Sequence, residues 1–313
     1  MQKAANGNVG FKNLHITSGN PTNLFAVSSG GSYDILKFIV EDCFIEVNGN
    51  MFGYQSANQT EGVQFSYVVE EIEFNNNIVW IKNVSANRKM FTLQKDVALG
   101  TENVVAGYSN MKSLSINNNV FYTAENIPVE KRMLIIDFGS NSEGWLTPTN
   151  NLEISFKNNT SYNIFAAGQI AIRAYMAKDA LIEGNLFYQD ITQPVATSNM
   201  YIFGLYSHRV ENITQTEEES AYKVQNNFAV SHGENATING WSWLYKNGQP
   251  VFYSNTSNRS LLKTDSVPFV TENIDITNGY FPVNASIVTN GAGADYSTKL
   301  WKDWSALQNQ GQN

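Results

Sequence analysis

The sequence predicts an all-β chain wound as a coil of short strands joined by variable loops, and three observations predict it. First, a pattern of apolar-x-apolar-x, then two turn residues, then apolar, recurs along the whole chain. Its clearest copy is Leu114-Ser115-Ile116-Asn117-Asn118-Asn119-Val120. Second, the copies keep a period of two within themselves but no fixed period between themselves, which excludes a helical repeat of constant length. Third, charged residues are only 15% of the 313, against roughly 25% in ordinary soluble proteins. The polar surface must then come from Asn, Ser, Thr and Gln, which suit strands and turns.

Taken in order, an imperfect first copy starts at Val9-Gly10-Phe11-Lys12-Asn13-Leu14. Phe38 to Phe44, Ile72 to Ile78, Leu114 to Val120, Ile154 to Thr160, Ala180 to Leu186, Tyr222 to Phe228 and Ile274 to Tyr280 follow, about eight copies in all. Alternation that ends in Asn, Asp or Gly reads as a strand with an abrupt bend, because these residues tolerate left-handed backbone angles. An antiparallel β-sandwich also uses alternating strands, but does not require the same turn in every repeat. Further strands are expected at Leu24 to Val27, Val79 to Ile81, Met133 to Phe138, Ile170 to Ala174 and Tyr201 to Leu205. Long inserts fall at about 82–110, 121–150, 188–221 and 229–272 and are expected to emerge as side loops.

The repeated turn resembles that of a single-stranded right-handed parallel β-helix of the pectate-lyase-like superfold, over essentially the whole chain. The resemblance implies about eight coils, a rod of about 38 Å at the usual strand spacing. It also implies an asparagine ladder through Asn76, Asn118, Asn158 and Asn226, with Asp42, Gly184 and Asn278 at the equivalent position. Residues 1–295 would form the β-helix and 296–313 a C-terminal cap. In that cap, Leu300, Trp304 and Leu307 share one face of a short helix after Ser297, plugging an open end. The flexible turn Gly291-Ala292-Gly293-Ala294-Asp295, with Trp301 beyond it, is similar to the ends of uncharacterised surface β-helix proteins of gut bacterial polysaccharide-utilisation systems.

The formal net charge of -8 argues against a nucleic-acid partner, whose phosphates need clustered Lys and Arg. No apolar run approaches the roughly 20 residues of a membrane span. Cys43 is the only cysteine, so no intrachain disulfide forms, and a packed, inert thiol is expected there. The N-terminus lacks the apolar core of a signal peptide while the repeat is already running by Val9, so a truncated or mature form is expected.

Two outward columns test for a catalytic face. One is Lys12, Glu41, Asn75, Asn117, Lys157, Glu183, Gln225, Thr277; the other is Gly10, Ile39, Glu73, Ser115, Ser155, Leu181, Lys223, Asp275. The clustered carboxylates and Arg base of pectate lyases are missing from both, and Lys157 with Glu183 reads as a surface ion pair. Asp137, Glu143 and Asp190 are carboxylates expected on side loops, with nothing in sequence to bring them together. His15, His208 and His232 lack metal-ligand spacing, so neither a metal nor a cofactor is expected, and the catalytic residues stay unassigned.

The most distinctive local feature is Trp241-Ser242-Trp243-Leu244-Tyr245-Lys246, enclosed by the turn dipeptides Asn239-Gly240 and Asn247-Gly248. In a strand, Trp241, Trp243 and Tyr245 share one face and form either a sugar-stacking platform or a surface packed on the β-helix flank. The expectation is a secreted or cell-surface protein that binds a polysaccharide or oligosaccharide through these three residues. Two alternatives stand beside it. One is a polysaccharide lyase or glycoside hydrolase with its site on side loops or in missing N-terminal coils; the other is a structural adhesin.

Overall fold

The computed structural model describes residues 7–19, 23–27, 33–55, 67–82, 89–94, 112–123, 134–138, 153–164, 170–174, 179–190, 199–206, 222–232, 237–246, 249–252, 259–264 and 292–294. These residues are all-β, and their strands form three sheets. The first sheet holds Gly7–Lys12, Tyr33–Glu41, Tyr67–Asn75, Ser113–Asn117, Glu153–Lys157, Asp179–Glu183 and Tyr222–Gln225. The second holds His15–Thr17, Phe44–Val47, Ile78–Ile81, Val120–Thr123, Thr160–Tyr162, Leu186–Asp190, Phe228–His232 and Arg259–Thr264. The third holds Asn23–Val27, Asn50–Gln55, Lys89–Gln94, Leu134–Phe138, Ile170–Ala174, Asn199–Tyr206, Thr237–Lys246 and Gln249–Phe252.

Neighbours within each sheet are parallel, except for the antiparallel pair of Thr237–Lys246 with Gln249–Phe252. Up to Thr237–Lys246 the chain therefore passes through the first, second and third sheets in turn before returning to the first, an order compatible with a parallel β-helix, whereas Gln249–Phe252 stays in the third sheet and Arg259–Thr264 lies in the second. Among the described residues no helix is long and apolar enough to cross a membrane.

The turn between the first and second sheets is where the ladder forms, one residue later than the sequence pattern suggests. Asn13, Asp42, Asn76, Asn118, Asn158 and Asn226 have φ between 52° and 57°, and Gly184 has 65°. They are the left-handed residues that make the bend, and a Cβ on Gly184 would lie 2.3 Å from Asn158 Oδ1. From Asp42 onward the bend turns the next residue inward, whereas Leu14 after Asn13 is exposed. Asn77, Asn119, Asn159, Asn185 and Asn227 are 0% exposed and make the ladder.

The N–H of Asn77, Asn119, Asn159 and Asn185 each donates to Oδ1 of the next member at 2.8–3.0 Å. Each Nδ2 donates to the same Oδ1 at 2.8–3.1 Å. Nδ2 also reaches a backbone carbonyl of an earlier strand, as from Asn119 to Phe74 at 2.8 Å and from Asn159 to Ile116 at 2.9 Å. Cys43 takes the ladder position of its own turn, its N–H donating to Asn77 Oδ1 at 2.9 Å. Of the expected outer series, Asn118 Nδ2 donates to Asn76 Oδ1 at 2.8 Å.

The core lies between the sheets and is ordered by stacked rings. Phe74, Phe121, Phe156 and Phe187 alternate between the first and second sheets with centroids 6.1–6.3 Å apart and planes within 18°. Phe91 of the third sheet meets Phe74 edge-on at 5.3 Å. Offset stacking and full burial make these rings a large apolar contribution to stability.

Two expectations change. The stretches assigned to long inserts contain strands, including Lys89–Gln94, Phe228–His232 and Thr237–Lys246, which complete the second and third sheets. Ala292-Gly293-Ala294, expected in a flexible turn, is packed against the second sheet. Gly293 N–H donates to Gly184 O at 2.8 Å and Ala294 N–H to Thr160 Oγ1 at 3.0 Å. A Cβ on Gly293 would meet Thr160 Oγ1 at 2.7 Å, so close approach requires the absence of a side chain there. Finally, the copy at 274–280, the capping segment with Leu300, Trp304 and Leu307, and the boundary at 295–296 lie outside the described residues.

Candidate binding faces

The first sheet presents the two columns read from the sequence in the expected register. Lys12, Glu41, Asn75, Asn117, Lys157, Glu183 and Gln225 pair successively, and so do Gly10, Ile39, Glu73, Ser115, Ser155, Leu181 and Lys223. Thr277 and Asp275 lie outside the described residues. The charges neutralise one another along the stack: Lys12 Nζ lies 2.8 Å from Glu41 Oε2, and Lys37 Nζ lies 2.6 Å from Glu73 and 3.0 Å from Glu71. Lys157 stands in register with Glu183 but forms no ion pair with it among the described residues. Glu183 Oε1 instead accepts from Gln225 Nε2 at 2.7 Å. Such pairs contribute little to stability; Glu71 and Glu73 converge on Lys37, and no group of three or more His, Cys, Asp or Glu that could hold a metal ion is found among the described residues.

The third sheet carries the aromatic strand. Thr237–Lys246 pairs with Asn199–Tyr206, placing Trp243 opposite Gly204 and Tyr245 opposite Tyr206. Trp241, Trp243 and Tyr245 occupy alternate positions of this one strand. Asn239-Gly240, expected as a turn, lies inside the strand. Met200 pairs with Ile238 and Tyr201 with Gly240, so Asn239 is an extra residue, as in a β-bulge. Lys246 pairs with Gln249 in the antiparallel partner, while Asn247-Gly248 lies outside the described residues.

Asp137 lies in the expected strand of this same sheet, at Leu134–Phe138, rather than on a side loop, 3% exposed, with Lys89 Nζ 2.5 Å from Oδ2. Arg173 is its register partner, and the column continues through Gly204 to Trp243. Glu143 and His208 lie outside the described residues.

The second sheet holds an aromatic column that the repeat pattern does not include. Trp80, Tyr122, Tyr162 and Tyr188 are successive register partners, each three residues after a ladder asparagine. That constant spacing is legible in the sequence, but it falls beyond the turn, whereas the outward columns lie before it. Trp80 stacks on Tyr122 at 6.1 Å and Tyr162 on Tyr188 at 4.8 Å. The rings face one another along the stack, and Tyr122 and Tyr188 are buried, so this column is chiefly a packing device.

At its exposed end stands a charged cluster. Glu46 lies 2.6 Å from His15 Nε2 and pairs with Lys82, whose Nζ lies 4.7 Å from the Trp80 ring centre. Burial, and then the Lys82 ammonium, hold the His15 imidazole below its ordinary pKa of 6.5. The Glu46 carboxylate beside it is already engaged by Lys82. A depressed imidazole pKa favours the fold above the unfolded value, and the contribution is lost as pH falls through the folded pKa. Followed by NMR, the His15 ring is expected to titrate below 6.5, and Lys82→Met to raise that midpoint. An unchanged midpoint in the variant would remove Lys82 as a cause.

Cys43 is buried, with Sγ 3.2 Å from Glu41 O and 3.5 Å from Phe11 O. Burial pushes its thiol pKa up, so the protonated form is favoured.

Comparison of the chain with protein-family models, with curated proteins and with solved structures finds no match.

Proposed function

We propose that the chain is a right-handed parallel β-helix of the pectate-lyase-like kind, secreted or held at a cell surface, that binds a polysaccharide or oligosaccharide. The observation that carries the proposal is the ten-residue strand Thr237–Lys246, with Trp241, Trp243 and Tyr245 at alternate positions next to the four-residue strand Gln249–Phe252 of the third sheet. Aromatic rings at alternate strand positions suit the C–H faces of successive sugar rings, and the polar tips of Trp and Tyr can hydrogen-bond the hydroxyls. Asp137 and Arg173 share the register column of Trp243.

A glycan array of neutral and acidic polysaccharides tests the proposal. Binding to at least one glycan class is expected. Trp241→Ala combined with Trp243→Ala is expected to weaken that binding at least about tenfold, the equivalent of about 1.4 kcal/mol. Binding to no glycan, or unchanged affinity in a stable double variant, would overturn it.

A further inference from the structure

Gly7–Lys12, His15–Thr17 and Asn23–Val27 are the outermost members of the three sheets at one end of the stack, and among the described residues each has a strand partner on one side only. The inward residues are incompletely covered here. Val9 is 38% exposed, and Phe11, Ile16 and Phe25 are partly buried, whereas their register partners Phe38, Val40, Ile45 and Phe52 are buried. The exposed large hydrophobic residues among those described, Val9, Leu14 and Leu36, all belong to this end. Leu36 sits where the register between Gly7–Lys12 and Tyr33–Glu41 shifts. Apolar side chains grouped on open strand edges form a surface suited to receive another layer of strands.

The hydrogen bonds of the repeat show which backbone groups face the open edge. Asn13 N–H donates to Glu41 O, Asp42 N–H to Asn75 O and Asn76 N–H to Asn117 O. The carbonyl closing each first-sheet strand thus serves the coil before it, and Lys12 O holds that place at the edge. Strand alternation turns the N–H and C=O of Asn8 and Gly10 the same way. The ladder that joins the coils stops short of this end. Cys43 N–H donates to Asn77 Oδ1, but Cys43 and Leu14, at the ladder positions of their own turns, have no side-chain amide to extend it. The end lacks the device that links successive coils and presents apolar side chains instead.

We propose that this end is an interface between two copies of the chain related by a two-fold axis, with Gly7–Lys12 of each copy pairing antiparallel and Gly10 opposite Gly10. Such a contact needs a self-complementary surface, and the strand supplies one. In that register Val9 lies opposite Phe11 of the second copy, both on the inner face, so the apolar column continues across the axis. Asn8 lies opposite Lys12 on the outer face. The two Lys12 positions stand about 13 Å apart along the strands, beyond the screening length of about 8 Å in physiological salt. Asn8, Gly10 and Lys12 also carry the backbone groups that face the edge, so backbone and side-chain patterns agree in this register. A one-residue slip would set inward residues opposite outward ones.

Sedimentation equilibrium of the full chain over a dilution series is expected to fit a monomer–dimer association. Val9→Lys puts a charge into the apolar column and Gly10→Pro removes an edge N–H, and each is expected to weaken association at least about tenfold. A Cβ at Gly10 would lie 3.9 Å from Ile39 Cβ, an ordinary contact, so a side chain fits the folded strand there. Gly10→Cys gives the positive test. Hydrogen-bonded antiparallel partners lie about 5.5 Å apart at Cα, within disulfide reach, so mild oxidation should yield a covalent dimer. Ser115→Cys, in the same column of a central coil, should not. A monomer at every concentration, a dimer unaffected by Val9→Lys and Gly10→Pro, or a dimer without cross-linking in Gly10→Cys would overturn the proposal. No readout involves a sugar, so the outcome is independent of glycan binding.

Discussion

Asn119→Ala is expected to destabilise the fold by about 4 kcal/mol, the sum of two buried donors left without acceptors at about 1–3 kcal/mol each. Asn119 Oδ1 accepts both from the Asn77 N–H at 2.8 Å and from Asn77 Nδ2 at 3.1 Å, and its own Nδ2 serves the Phe74 carbonyl at 2.8 Å. Asn77 and Asn119 are 0% exposed, so surface water does not replace these partners. Because stacked repeats hold one another mainly through nearest neighbours, the loss should be local as well as global. Hydrogen exchange should quicken first at Asn77 and Asn119. The midpoint of guanidinium unfolding measures the size of the effect, and amide exchange measures its reach.

Phe156→Ala is expected to cost a comparable amount, about 3–5 kcal/mol, typical of one deleted core aromatic. Phe156 is fully buried and stacks on Phe121 at 6.3 Å and on Phe187 at 6.1 Å, so its removal interrupts the ring series on both sides. Parallel in-register strands on both sides limit how far the neighbouring rings can collapse into the space. Phe156→Leu should recover part of the loss by filling most of the volume. Equal destabilisation in both variants would mean that the stacked geometry, rather than the volume, dominates at this site.

These two residues also show where the sequence was legible. Alternation revealed Leu114, Ile116, Ile154 and Phe156 as inward positions because one face of each strand is buried, and a one-residue slip would reverse every side chain. The register of the first sheet followed from aligning the repeated turns. The turn itself was harder. Two consecutive polar residues, as in Asn118-Asn119, both suit a bend, and composition alone does not tell which one turns left-handed. The backbone decides, with φ of 57° at Asn118 directing Asn119 inward.

The third sheet was less legible than the first: strands at Leu24 to Val27, Met133 to Phe138, Ile170 to Ala174 and Tyr201 to Leu205 were expected, but Lys89–Gln94 follows no repeated turn. Its placement depends on pairing across 40 or more residues, as between Leu134 and Lys89. Of the candidate binding residues, the alternation of Trp241, Trp243 and Tyr245 was readable directly. The bulge at Asn239 was not, because Asn-Gly is also a strong turn signal. Asp190 and His232 were each visible in the sequence, but only strand register makes them neighbours.

The most direct test of the scaffold compares Asn118→Gly with Asn119→Ala by guanidinium unfolding under identical conditions. Gly accepts the left-handed backbone at residue 118. The Asn118 side chain belongs to the outer series, where it donates to Asn76 Oδ1 at 2.8 Å in a partly exposed setting that water can enter. Asn118→Gly is therefore expected to change stability by no more than about 1 kcal/mol, while Asn119→Ala produces the much larger loss. The reverse ranking, or equal small effects, would contradict the inward asparagine ladder on which the three parallel sheets are aligned.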